Sequence, residues 1–113
     1  MVFVESRSFT RRLMELAGQS ADDVLRAIQN DLIENPEKGS VVQGLGGIRK
    51  ARAANPTRGK GKRGGLRHLY LYLRDRDHIH LLFLLDKDEQ EDLSSEEQRD
   101  IRHMVAQLKR LGG

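Results

Sequence analysis

The chain has 113 residues, a formal net charge of +3, 33% charged and 37% hydrophobic residues, and no cysteine. That length suits one domain with a modest core, so a single domain over residues 1–113 is expected. Absent cysteines exclude disulfides and thiolate metal sites and suit a reducing cytoplasm; no apolar run of about 18 residues spans a bilayer, and no secretory signal is visible at the start.

In chain order, Val2, Phe3 and Val4 are β-branched or aromatic and predict a short first strand. Ser6 or Ser8 can cap the helix that follows, whose Phe9, Leu13, Leu16 and Ala17 recur at helical spacing before Gly18 stops it. Ser20 with Asp23 resembles a capping box for a second helix, with Val24, Leu25, Ile28, Leu32 and Ile33 on its apolar face and Pro36 at its end. Residues 37–47 are glycine-rich and read as an irregular lead into a strand from Ile48 to Ala53. Asn55-Pro56 breaks that strand, and Thr57 to Gly65 reads as a loop.

From Leu66 the residues alternate. Arg67, Leu69, Leu71 and Leu73 face one way and His68, Tyr70 and Tyr72 the other, which puts Arg67 at the rim of an apolar row and His68 on the opposite face, packed against Tyr70 or an adjacent strand rather than catalytic. Asp75-Arg76-Asp77 is a polar turn, and His78 to Asp86 is a nearly apolar and therefore central strand. An acidic loop follows. Ser94 with Glu97, or Ser95 with Gln98, forms a capping box for a last helix that carries Ile101, Met104, Val105, Leu108 and Leu111 and ends at Gly112-Gly113. The order β-α-α-β-β-β-α predicts an α+β fold: a small antiparallel sheet of about four strands, with room for a mixed edge, and helices grouped on one face.

Charge is distributed unevenly. Between Gly46 and Arg76 stand Arg49, Lys50, Arg52, Arg58, Lys60, Lys62, Arg63, Arg67, Arg74 and Arg76 against one acid, Asp75. Cations at that density, pinned between strands, make a positive field whose commonest partner is a phosphate backbone; the alternative is a solvated loop that keeps the protein soluble. Between Asp86 and Asp100, eight acids face only Lys87 and Arg99. His78 and His80 share a strand face without a third ligand at suitable spacing, so no metal site is expected. The lysines after Gly59 and Gly61 lack the following Ser or Thr of a phosphate loop, and Glu91 stands where a calcium loop from Asp86 needs glycine.

Gly44-Leu45-Gly46-Gly47-Ile48-Arg49-Lys50-Ala51-Arg52, then Gly59-Lys60-Gly61-Lys62-Arg63-Gly64-Gly65-Leu66-Arg67, Tyr70-Leu71-Tyr72, Leu85-Asp86-Lys87-Asp88-Glu89 and Asp92-Leu93 resemble the HigB-type branch of the RelE/ParE toxin superfamily. The resemblance covers essentially the whole chain. It implies the toxin of a bacterial type II toxin-antitoxin module, an endoribonuclease that cleaves mRNA in the ribosomal A site without metal or other cofactor. The implied partners are a cognate antitoxin protein, in a hetero-oligomer, and the ribosome with its mRNA, with no membrane involved.

Such cleavage needs a base for a ribose 2′-hydroxyl, cations around the phosphorane and an acid for the departing 5′-oxygen. An isolated lysine is a poor base at neutral pH, and crowding among cations makes a lysine a better one; Lys50, Lys60 and Lys62 are the candidates. Arginine stays protonated, so Arg52 and Arg67 are phosphate holders rather than bases. By resemblance, Lys50 and Arg52 match the basic pair on the strand lining the RelE-type active site, Arg67 matches the phosphate-stabilising arginine, and Lys87 falls at the basic position ending the last strand. Asp88 stands where that pattern has a second basic residue, and no tyrosine is near Ser94, which leaves Lys87 to serve as the acid. Arg49, Lys60, Lys62 and Arg63 supply grip on RNA. Two other readings remain open: a non-catalytic nucleic-acid or ribosome-binding module, and a ParE-like inhibitor of DNA gyrase.

Overall fold

A computed structural model describes residues 1–53, 65–87 and 89–111. Its elements are β1 (Val2–Glu5), α1 (Arg7–Ala17), a 3-10 turn (Gly18–Ser20), α2 (Ala21–Glu34), β2 (Ser40–Val41), β3 (Arg49–Ala53), β4 (Leu66–Leu73), a 3-10 turn (Arg74–Arg76), β5 (His78–Asp86) and α3 (Ser95–Leu111). The expected break at Asn55-Pro56, the 57–64 part of the loop, Asp88 and the closing Gly112-Gly113 lie outside the described residues. The expected α+β order holds, with one strand added. Ser40 and Val41 pair with Lys50 and Arg49, a bridge too short for periodicity to reveal.

One five-stranded sheet runs β1-β5-β4-β3-β2. The β2-β3, β3-β4 and β4-β5 pairs are antiparallel, and β1 lies parallel to β5, so the sheet is mixed at that edge. The helices do not gather on one face as expected. α1 and α2 pack Phe9, Leu13, Val24, Ile28 and Leu32 against Leu66, Tyr70, Ile79 and Leu81, while α3 brings Ile101 and Val105 to Leu69, Leu71, Leu82 and Leu85 on the other face. The physical reason is that β4 and β5 are apolar on both faces, and each face needs a cover. No helix among the described residues is long and apolar enough to cross a membrane.

Local chemistry fixes the joints. The Ser6 Oγ accepts from the Phe9 N–H (3.0 Å), capping α1, and donates to the Leu82 carbonyl (2.8 Å). Leu82 is available because the β4-β5 register steps from Leu69 opposite Phe83 to Tyr70 opposite Leu81, leaving Leu82 as a bulge. The Ser94 and Glu97 capping box forms in both directions: Glu97 N–H to Ser94 Oγ (3.1 Å) and Ser94 N–H to Glu97 Oε1 (2.9 Å). Ser20 does not cap α2 as expected, because the 3-10 turn runs straight into the helix and leaves Ser20 at φ −93° and ψ 7°, outside extended cap geometry.

The segment between α2 and β3 is fastened at two points. Gly46 has φ +73° and a Cβ there would meet the Val105 Cγ1 at 3.0 Å, while the Lys109 ammonium donates to its carbonyl (2.7 Å), so the loop seats directly under α3. At the other point, the buried Tyr70 hydroxyl donates to the Pro36 carbonyl and accepts from the Gly39 N–H, both at 2.9 Å. Burial first of all raises the Tyr70 pKa, which keeps the phenol protonated as that donor. The neighbouring His68 stacks on Tyr70 (5.3 Å between ring centres), one of the two packings expected for it, and its Nδ1 is buried without a hydrogen-bond partner among the described residues.

Tyr70→Phe leaves the Gly39 N–H and the Pro36 carbonyl without this partner and is expected to destabilise the protein by about 1–3 kcal/mol in urea unfolding. Burial, and after it the Lys38 charge, lowers the His68 pKa from 6.5 to about 4, so the folded state holds this imidazole neutral. A group whose folded pKa is depressed contributes stability that is present above its unfolded pKa and lost as pH falls toward the folded one. Stability is therefore expected to drop between about pH 6.5 and pH 4, by of order 3 kcal/mol from this group. His68→Leu should flatten that part of the profile.

Candidate nucleic-acid interface

The site is set by the β3-β4 register. Lys50 pairs with Leu69 and Arg52 with Arg67, while Arg49, Ala51 and Ala53 pair with Tyr70, His68 and Leu66. Because strand side chains alternate, Lys50, Arg52 and Arg67 share the face that α3 covers further along, and Arg49, Ala51 and Ala53 face α1 and α2. Ala51 and Ala53 are buried there, in the core cluster that includes Leu66 and Tyr70. Directly opposed residues on such a pair have Cβ atoms about 4.5–5.5 Å apart, so Arg52 and Arg67 leave the sheet side by side. Partial burial, and after it the Arg52 charge, lowers the Arg67 pKa from its ordinary value.

These cations line a shallow depression of about 360 Å³ together with Lys38, Ser40 and Ala51. It lies where β2 ends: among the described residues, no strand pairs with the outer edge of β3 beyond Lys50. Lys50 Nζ stands 3.9 Å from Asp92 Oδ1, whose side chain is 75% exposed. An exposed pair at that separation is worth at most about 1 kcal/mol, so Asp92 holds Lys50 only weakly. Its loop is fastened at other points, since the Arg12 guanidinium pairs with Glu89 (3.2 Å) and the Gln90 amide donates to Glu97 (3.0 Å).

Among the described residues, two further expected site residues, Lys87 and Arg49, do not line this depression. Lys87 follows β5, exposed, with its N–H on the Gly65 carbonyl (3.2 Å); it is two residues beyond Leu85, the partner of Arg67. Arg49 stands apart from the cation row. It donates to the Gly39 and Glu37 carbonyls (2.7 and 3.2 Å) and lies 3.7 Å from the Glu37 carboxylate. Lys60, Lys62 and Arg63 lie outside the described residues. Sequence reasoning missed Lys38, Ser40 and Asp92, because Lys38 and Ser40 fall in an aperiodic glycine-rich segment. The facing signs of the basic and acidic stretches were the available signal for Asp92.

Known structures share this architecture. The intact Escherichia coli RelBE toxin-antitoxin complex contains a chain with 10% identity and a TM-score of 0.53, over 74% of this chain and 92% of that one. A free E. coli RelE toxin with two arginines changed to alanine gives 12% identity and a TM-score of 0.55, over 80% of this chain and 86% of that one. A conserved hypothetical protein of Helicobacter pylori gives 17% and 0.52, over 79% and 97%. At such identities the likeness concerns the fold. The sequence model of the RelE toxin of the RelE/RelB toxin-antitoxin system matches residues 7–112, and the chain belongs to that RelE toxin family.

Proposed function

We propose that this protein is the toxin of a type II toxin-antitoxin pair, of the HigB type, and that it is an endoribonuclease cutting translated mRNA on the ribosome. The observation that carries the reading is the Arg52 and Arg67 cross-strand pair with Lys50 beside it on the same face. Like charges directly opposite each other weaken a sheet, and a bound anion relieves that repulsion. A phosphodiester is the anion that two guanidinium forks and an ammonium suit, and the RelE family membership supports RNA as its source.

In this reading Lys50 takes the proton of the ribose 2′-hydroxyl as that oxygen bonds to phosphorus. Arg52 and Arg67 stabilise the charge that develops on the phosphorane. The 5′-oxygen leaves with a proton from Lys87, and Lys60, Lys62 and Arg63 hold flanking RNA. Asp92 fills the place of the phosphate until RNA arrives. The RelBE complex supports a cognate antitoxin as the resting partner.

A short pulse of expression is expected to create new mRNA ends within translated frames, mapped by end sequencing. Lys50→Ala should lower cleavage on purified ribosomes by about 10²–10⁴-fold, and Arg67→Ala by about 10²–10³-fold, with ribosome binding retained. Growth inhibition unchanged in both variants overturns these assignments. Loss of DNA supercoiling before translation fails would place the activity on gyrase instead. Arg52→Thr removes the opposed charge and is expected to raise stability by up to about 1 kcal/mol in urea unfolding while cleavage falls.

A further inference from the structure

We propose that Lys38 is a substrate-positioning residue that grips a phosphate next to the one being cut, on the same RNA strand. This deepens the reading above and rests on it. Lys38 lines the same depression as Lys50, Arg52 and Arg67, although it arrives from the far side, on the connection between α2 and β2. Ser40, two residues on, pairs with Lys50 across the β2-β3 bridge. Neighbouring strands lie about 4.8 Å apart, so an RNA chain seated on Arg67 and Arg52 and running outward over β3 meets Lys38 before it leaves the surface.

The Lys38 connection is held more firmly than a passive turn requires. The Lys38 N–H bonds the Asn35 carbonyl (3.1 Å), and the next residue, Gly39, is held by Tyr70 on its N–H and by Arg49 on its carbonyl. No larger residue fits at 39, because a Cβ there would stand 2.9 Å from the Lys50 carbonyl and 3.0 Å from the Tyr70 ring. The Lys38 ammonium is itself aimed, bonded at 2.7 Å to the Asp31 carboxylate of α2, with both side chains close to half exposed. Asp31 thus sets the direction of the ammonium and leaves it donors for a second anion. The buried Tyr70 pin, the Arg49 clamp and the tight glycine all converge on one exposed cation at the rim of the cation row.

The test measures binding of the full-length protein to ribosomes carrying mRNA with a 2′-deoxy substitution at the cut position, as a function of salt. Single-turnover cleavage of normal mRNA is followed beside it. Lys38→Ala is expected to weaken binding and to reduce the slope of log K against log salt by about 0.7, the value of one single-strand phosphate. The saturating cleavage rate should stay within about threefold of the unaltered protein's, as for loss of uniform binding. Lys38→Arg should restore both affinity and slope. An unchanged slope in Lys38→Ala overturns the inference, as does a Lys38→Arg protein that behaves like Lys38→Ala. An equal loss on ribosomes without mRNA assigns the contact to ribosomal RNA and also overturns it. Binding reads Lys38 whether or not cleavage occurs, whereas an unaltered protein that binds and leaves mRNA intact counts against the nuclease reading.

Discussion

The register between β3 and β4 is the constraint on which the site depends. With Arg52 opposite Arg67 and Lys50 opposite Leu69, the small residues Ala51 and Ala53 turn toward α1 and α2, and the cations turn toward the open side. A slip of one residue would reverse every side chain of β3 and drive Lys50 and Arg52 into the core built from Phe9, Ile28 and Tyr70. Burying charges there without partners costs several kcal/mol each, far more than the repulsion between two half-solvated guanidinium groups. The core therefore enforces a like-charge pair that the strands alone would avoid.

The basic stretch that looks uniform along the chain is divided by the fold into groups with separate work. Arg49 and Arg74 both reach Glu37, and Arg76 donates to the Leu108 carbonyl near the end of α3, so these cations fasten loops and a helix terminus. Lys50, Arg52 and Arg67 share one face and the depression. The acidic stretch is likewise divided. Glu97 closes the cap of α3, Glu89 binds Arg12, and Asp92 reaches Lys50 of the cation row. Burial by itself would raise the Glu97 pKa, but hydrogen bonds from the Ser94 N–H and the Gln90 amide outweigh it and lower the net value, so this carboxylate stays ionised as an acceptor in the cap.

Arg12 ties these regions together. Its guanidinium donates to the Leu84 carbonyl of β5, lies 5.9 Å from the Phe83 ring centre, and pairs with Glu89 in the loop that carries Asp92. The loop that screens Lys50 is thus anchored on α1 and α3 rather than on the strand it screens. Asp92 is held in that loop by the Gln90 amide on its carbonyl (2.8 Å) and the Leu93 N–H on its carboxylate (3.0 Å), while its contact with Lys50 is long and exposed.

Much of this was legible in the chain. The apolar periodicities marked all three helices, the alternation from Leu66 placed Arg67 at a rim and His68 on the opposite face, and the Ser94 to Glu97 spacing marked a real capping box. These are local signals, carried by residues a few positions apart. The sequence by itself thus determined the order of every element but the short β2, the density of positive charge and the identity of the RelE family. Tertiary structure alone decided the two-sided covering of the sheet, the Ser40 bridge, the failure of Ser20 to cap, and which cations meet. Lys38 and Asp92 are remote from Lys50 along the chain, and they come to it only through a strand register, a buried tyrosine hydroxyl and an anchored loop. Those are long-range contacts, fixed by the summed packing of the core and not by any short pattern of residues.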